Sequence, residues 1–160
     1  MIHLGVATKI LGQERLRSET TREGEPGAHL SLRLLRLSAV LRYLEAQDIH
    51  FYRLPDDLLA PARNGESPAA QLAADMLGIV SDQARSAANR LTIHPSLGAA
   101  LGAAHPDAVE RAAATIIAQA ALLDALGAGR ESVIVLHVGG EGDDRAAVLE
   151  RFAARFERLP

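Results

Sequence analysis

The chain contains no cysteine. That excludes a disulfide framework and any thiolate chemistry. It contains no tryptophan, and aromatic residues make up only 3% of it. Its core must therefore be assembled mainly from Ala, Leu and Val. No apolar run reaches the ~18–20 residues that would span a bilayer, so no membrane partner is expected. The opening Met1-Ile-His-Leu-Gly-Val has no basic segment followed by a long apolar one, so a secretory leader is not expected either. A cytoplasmic setting is the default expectation. An excess of positive charge is missing too, the formal net charge being −3. That argues against holding nucleic acid by bulk electrostatics and leaves room for a local basic patch. No nucleophile elbow, P-loop or Rossmann fingerprint occurs.

What is present fits one domain of 160 residues, 48% of them hydrophobic. Ile2 to Ala7 reads as a short strand. Residues 8–28 are polar and rich in Gly, Arg and Glu, a long loop by the standard of a βα connection. Its Lys9, Arg15, Arg17 and Arg22 are matched one for one by Glu14, Glu19, Glu23 and Glu25, which suits a solvated excursion better than a substrate-contacting loop. Leu30, Leu34, Leu37, Leu41 and Leu44 recur at helical spacing and predict an amphipathic helix over 29–47, widened by Val40 and Tyr43. Arg33, Arg36 and Arg42 fall on its solvated side.

Residues 49–54 are β-rich and stop at Pro55. Asp56 and Asp57 follow; such a pair can bind a metal, but two acids after a proline more often start a turn or cap a helix. Ser67 and Pro68 open a second helix carrying Leu72, Met76, Ile79 and Val80, which runs to about Ala88. Arg90 to His94 is a third strand. His105-Pro106-Asp107 opens a third helix, stopped by Gly127, whose Ala, Ile and Leu surface predicts burial on more than one side. Ser132 to Val138 is continuous in aliphatics, as strands covered on both faces are. Asp143 and Asp144 start a fourth helix with Val148, Leu149, Phe152 and Phe156 on its apolar side.

The class is therefore α/β, one βα-repeat domain over 1–160. Four βα units at spacings of roughly 40 residues imply a parallel sheet. Four units make half of a TIM (β/α)8-type barrel. The other option is a complete small α/β sandwich with helices on both faces.

Two stretches concentrate the chemistry. Leu91-Thr-Ile-His-Pro95 and Val133-Ile-Val-Leu-His-Val-Gly-Gly140 are aliphatic runs that each end in a histidine and then break. Strand C-terminal ends are where βα folds place their sites. On neighbouring strands, His94 and His137 can share a Zn²⁺ or Mn²⁺ with carboxylates completing the shell. Alternatively, each bonds locally at the sheet rim. His3, His29, His50 and His105 read as structural or solvent-facing. The Gly139–Gly140 turn can admit a phosphate to backbone N–H groups, but Glu141, Asp143 and Asp144 suit capping or a cation better.

The order of motifs resembles the UV damage endonuclease (UvdE/UvsE) family, TIM-barrel, metal-dependent DNA-repair nucleases related in fold to endonuclease IV. Leu4-Gly5 matches in the first strand, and Phe51-Tyr-Arg-Leu-Pro-Asp-Asp-Leu58 is similar to the family's FYRxSxDL. Leu91-Thr-Ile-His-Pro95 is similar to its RxSMHPGQ, and Leu122-Leu-Asp-Ala-Leu-Gly127 follows. His137-Val-Gly-Gly140, Asp144-Arg145 and Arg151-Phe152 are similar to its HxGGxxGDK…RF.

The resemblance implies that His94 and His137 are two metal-ligand histidines of a multinuclear Mn²⁺ or Zn²⁺ site, and that damaged DNA is the partner. The family's other ligands come from strands five to eight, beyond Pro160. The expected form is thus a truncated or diverged nuclease with impaired activity on its own, needing a missing C-terminal half. No catalytic or DNA-contacting residue is assigned. The family's Gln-Tyr or Gln-Phe probe of damaged bases is Leu97-Gly98 here, its first-strand aromatic is Val6, and the histidine of its PFASH stretch is Asn64. Metal binding fits the comparison better than lesion recognition does. Two alternatives belong to other classes. One is a non-catalytic half-barrel that self-associates as a homodimer, and the other is a fragment of a sugar-isomerase-like metal-binding barrel.

Overall fold

In the computed structural model the described residues are 5–7, 10, 26–56, 58, 68–139 and 144–160. They form β1 (Val6–Ala7), α1 (Pro26–Ala46), β2 (Phe51–Leu54), α2 (Pro68–Ser86), β3 (Arg90–Ile93), α3 (Pro106–Ala125), β4 (Val133–Ile134) and α4 (Arg145–Phe156). The strands make one parallel sheet in the order β1-β2-β3-β4. The α/β class and the βα alternation expected from hydrophobic periodicity are therefore present.

All three helix-to-strand joins use one device. Asp48, Ala88 and Gly127 have positive φ values of 56°, 49° and 67°. After each, the next N–H reaches back to the last helical turn: Ile49 to the Leu44 carbonyl, Asn89 to Ala84, and Ala128 to Leu123. These are Schellman closures, which satisfy orphan carbonyls and turn the chain sharply toward the sheet. They also end α1 and α2 slightly before the boundaries read from periodicity. At the other end of α1, Pro26 starts the helix inside the stretch expected to be loop, because its fixed φ suits a first helical turn. The rest of that loop except Ile10, the Ser67 cap and the start of the first strand lie outside the described residues.

The sheet has one apolar face. Tyr52 pairs in register with Leu91, and Leu54 with Ile93. These four side chains are buried against Leu34, Leu37, Val40, Leu41 and Leu44 of α1, Val80 and Ala84 of α2, and Leu122 and Leu123 of α3. Burial raises the Tyr52 pKa to about 12, so its hydroxyl stays protonated. A second cluster joins Leu101 to Ala112 and Ile116 of α3, with Leu136 and Phe152 of α4 packed on it. Ile134 and Leu136 share a strand face by alternation. The apolar contacts of α1, α2 and α3 with the strands thus fall on one side of the sheet.

The other face carries Phe51, Arg53, Arg90 and Thr92, paired Phe51 with Arg90 and Arg53 with Thr92. The Arg90 guanidinium lies 5.3 Å from the Phe51 ring centroid, a cation–π contact. Val133 and Val135 are 41% and 49% exposed. The aliphatic run of β4 is therefore covered on one face only, contrary to the two-sided burial expected for it. Its pairing is also shorter than the predicted 132–138. β4 is an edge strand, and beyond Ile134 the Val135 N–H still donates to the Ile93 carbonyl at 2.9 Å.

Helix faces are narrower than the composition suggested. On α3 only Ala112, Ile116, Gln119, Leu122 and Leu123 are buried, while Ile117 is exposed, so burial on several sides does not occur. Ile79 of α2 and Leu149 and Phe156 of α4 are exposed, whereas Val80 and Val148 beside them are buried. One stripe of a 3.6-residue helix can face a sheet, and neighbours ~100° away cannot follow it. Arg42 is exposed as expected, but Arg33 and Arg36 are half-buried, and Arg33 donates to the Leu58 carbonyl.

Candidate metal centre

β3 and β4 position the two histidines through alternation. Thr92 pairs with Val133 and Ile93 with Ile134. Continuing the register sets His94 beside Val135, with His137 two residues further along the same face. Two residues are ~6.6 Å of strand, so the side chains meet diagonally across the strand pair. The rings lie nearly parallel, with centroids 4.5 Å apart and planes at 28°. His94 Nε2 and His137 Nε2 are 2.7 Å apart. The two nitrogens are within hydrogen-bond distance, and the tautomer decides which ring donates. Both side chains are half-buried.

The donor chemistry suits a borderline divalent cation. Two imidazole nitrogens on one tetrahedral zinc, each at ~2.0–2.1 Å, stand ~3.3 Å from each other. The rings need to open by only ~0.6 Å from their present spacing to hold such an ion. As two ligands they fit. They are not a complete set: among the described residues no group of three or more His, Cys, Asp or Glu converges. Zinc sites draw three or four ligands from protein.

The other sequence candidates lie elsewhere. Asp56 is exposed and its carbonyl accepts from Gln119 Nε2. The Asp144 carboxylate caps α4, accepting from the Ala146 N–H at 3.0 Å. His105 is the exposed N-cap of α3 and its side chain makes no cap hydrogen bond. His50 sits at the opposite end of β2. Its Nε2 lies 3.0 Å from Asp48 Oδ1 and its Nδ1 2.8 Å from the Ala87 carbonyl. The Asp48 bond first, then the Ala87 carbonyl, raises its pKa. A concavity of about 1380 Å³ opens at that same end, lined in part by His50, Asn89 and Arg90; it is not at the histidine pair. His3, Asp57, Asn64, Gly140, Glu141 and Asp143 lie outside the described residues, as does the His29 side chain. Leu97 is 74% exposed at the tip of the turn after β3. Val6 packs toward the helix-side cluster.

Sequence reasoning gave no structural role to two arginines of α4 that bond the loop after β3. Arg155 Nη1 donates to the Leu101 and Ala103 carbonyls at 2.6 and 2.7 Å. Arg151 Nε donates to the Gly102 carbonyl at 3.2 Å. Their four-residue spacing puts both on one face of α4, but spacing alone does not say what that face meets.

Fold and site together define a parallel α/β protein with an imidazole pair at its strand C-terminal ends. Residues 17–160 match the profile of the UV-endonuclease UvdE family, and the chain belongs to that family. It is 30% identical over 132 residues to a UV-damage endonuclease of Neurospora crassa, covering 80% of this chain and 18% of that one. A relative from Acanthamoeba polyphaga mimivirus is 29% identical over 130 residues, covering 78% of this chain and 39% of its own. A crystal structure of SacUVDE superposes with a TM-score of 0.84 at 22% identity, covering all of this chain and 57% of that one. The chain thus spans well under two thirds of the curated relatives it matches. Among the described residues no helix is long and apolar enough to cross a membrane.

Proposed function

We propose that this chain contributes two histidine ligands, His94 and His137, to a divalent-cation centre of a metal-dependent nuclease acting on damaged DNA. Its four βα units then form half of a TIM-type barrel, a single domain over 1–160 working in the cytoplasm. The observation that carries the reading is the convergence of the two Nε2 atoms at 2.7 Å in a chain of this family. Bound there, Mn²⁺ or Zn²⁺ supplies Lewis acidity toward a phosphodiester. The protein's part is to bring the two Nε2 atoms to one point. The one-sided helix layer supports the half-barrel reading, because a barrel wall carries its helices on the outer face only. Family membership decides for the nuclease lineage over the sugar-isomerase alternative.

Titration calorimetry with Zn²⁺ and with Mn²⁺ tests the ligand assignment. The wild type is expected to bind weakly, as two ligands allow, and His94→Ala is expected to lose that binding. Equal affinity in both proteins removes His94 from the site.

A second reading is that two copies pair and close the barrel with two-fold symmetry, without catalysis. The uncovered face and exposed Val133 and Val135 on the β4 edge favour it, since proteins cover or pair such edges. Sedimentation velocity across a concentration series decides it: a single monomer boundary throughout rules the pairing out.

A further inference from the structure

We propose that Arg155 and Arg151 of α4 are positioning residues that set the spacing of His94 and His137. The consequence for metal affinity rests on the ligand assignment above; the consequence for the spacing does not. His94 is followed by Pro95 and the loop to His105. That loop returns to the other histidine's strand, where the Gly102 N–H donates to the Val138 carbonyl at 2.9 Å. It also passes so close to Gly139 that a Cβ there would overlap the Ala100 side chain. Gly102 is equally tight, because a Cβ on it would meet the Val138 carbonyl and Val148. The loop therefore links the residue after one histidine to the residue after the other.

The Gly102–Val138 bond ties one N–H of this loop; its carbonyls are held from elsewhere. Leu101 and Gly102 are buried, and buried carbonyls need hydrogen-bond partners. Here the arginines supply them. Leu101, Gly102 and Ala103, three successive carbonyls, all accept from α4: the outer two from Arg155 Nη1 and the middle one from Arg151 Nε. A planar guanidinium suits this better than an ammonium, because its N–H groups are fixed in a fork. Charge-assisted bonds of this kind are also stronger than neutral ones. The fourth helix thus fixes the loop, and the loop fixes how far the end of β3 stands from the end of β4. Groups that orient a ligand in this way typically change metal affinity ~10–100-fold when removed.

The test uses the full chain. Arg155→Met keeps the aliphatic stem and removes the donors. Gly102→Ala disturbs the same loop from its other side. Arg145→Met, at an exposed arginine of the same helix, controls for charge. Two readouts are taken on each: the nuclear Overhauser contact between the His94 and His137 ring protons without metal, and Zn²⁺ affinity by competition with a chromophoric chelator. Arg155→Met and Gly102→Ala are expected to lose the ring contact while retaining helical circular dichroism. Their zinc affinity is expected to fall ~10–100-fold. Arg155→Lys is expected to restore part of both, and Arg145→Met to change neither. If the wild type shows the ring contact but binds no zinc, the metal reading falls and the ring contact alone decides the positioning. If Arg155→Met does not fold, Gly102→Ala and Arg151→Met decide it. Folded variants that keep the ring contact overturn the proposal, as does a wild type that lacks it.

Discussion

Leu91→Ala is expected to cost about 2–5 kcal/mol of folding stability. Leu91 is fully buried at the centre of β3 and meets Tyr52 across the strand pair. On its far side lie the leucines of α1 and α3. Truncation removes three side-chain carbons from contact, and the surrounding leucines sit on two different helices that cannot both move into the gap. The loss is a large part of the ~5–15 kcal/mol that a domain of ordinary stability has. Val133→Ala on the uncovered face makes the contrast. It is expected to cost less than about 1 kcal/mol, the range of strand propensity alone. Urea midpoints followed by far-UV circular dichroism measure both. Comparable losses would show that the uncovered face is also packed in solution. The second copy would then be the reading to pursue.

Gly139→Ala is expected to destabilise the chain by about 2–5 kcal/mol, from left-handed strain plus overpacking. Gly139 has φ of 77°, a conformation that costs a residue bearing a Cβ about 1–2 kcal/mol. That Cβ would in addition overlap the Ala100 methyl. Relief requires either the loop to lift from β4 or the strand end to shift, and His137 lies two residues away. Denaturation midpoints check the stability. The His94–His137 ring contact checks the displacement, and it is expected to weaken. A gain of ~0.4–1 kcal/mol, the usual result of glycine to alanine at a compatible site, would show that φ is not left-handed in solution.

Much of the fold was legible because it is written in local periodicity. The leucines of α1 at three- and four-residue spacing bury as expected, and Pro106, Asp107 and Gly127 bound α3 as helix-end chemistry predicts. The joins at Asp48 and Ala88 were not legible. Both adopt the left-handed conformation without glycine, so the residue type carries no mark of it, whereas Gly127 does. Which residues of a helix stripe are buried was only partly legible. Ile79 and Val80 are equally apolar, yet the sheet lies on one side and buries only Val80. The aliphatic run of β4 misled for a related reason. Composition reports that a strand tolerates burial on both faces, not that anything is there to bury it.

For the candidate site the division is similar. Each histidine ending an aliphatic run and followed by a breaking residue is a local feature, readable one strand at a time. The sequence by itself therefore determined the α/β class, the order of the elements and the placing of His94 and His137 at strand ends. Only the tertiary structure decided that β3 and β4 are neighbours in a register that brings Nε2 to Nε2, and that the apolar contacts of α1, α2 and α3 lie on one face of the sheet. It alone placed two arginines of α4 on three successive carbonyls of a distant loop. Such contacts join residues some fifty positions apart. They depend on how several elements pack at once, which local spacing and composition do not encode.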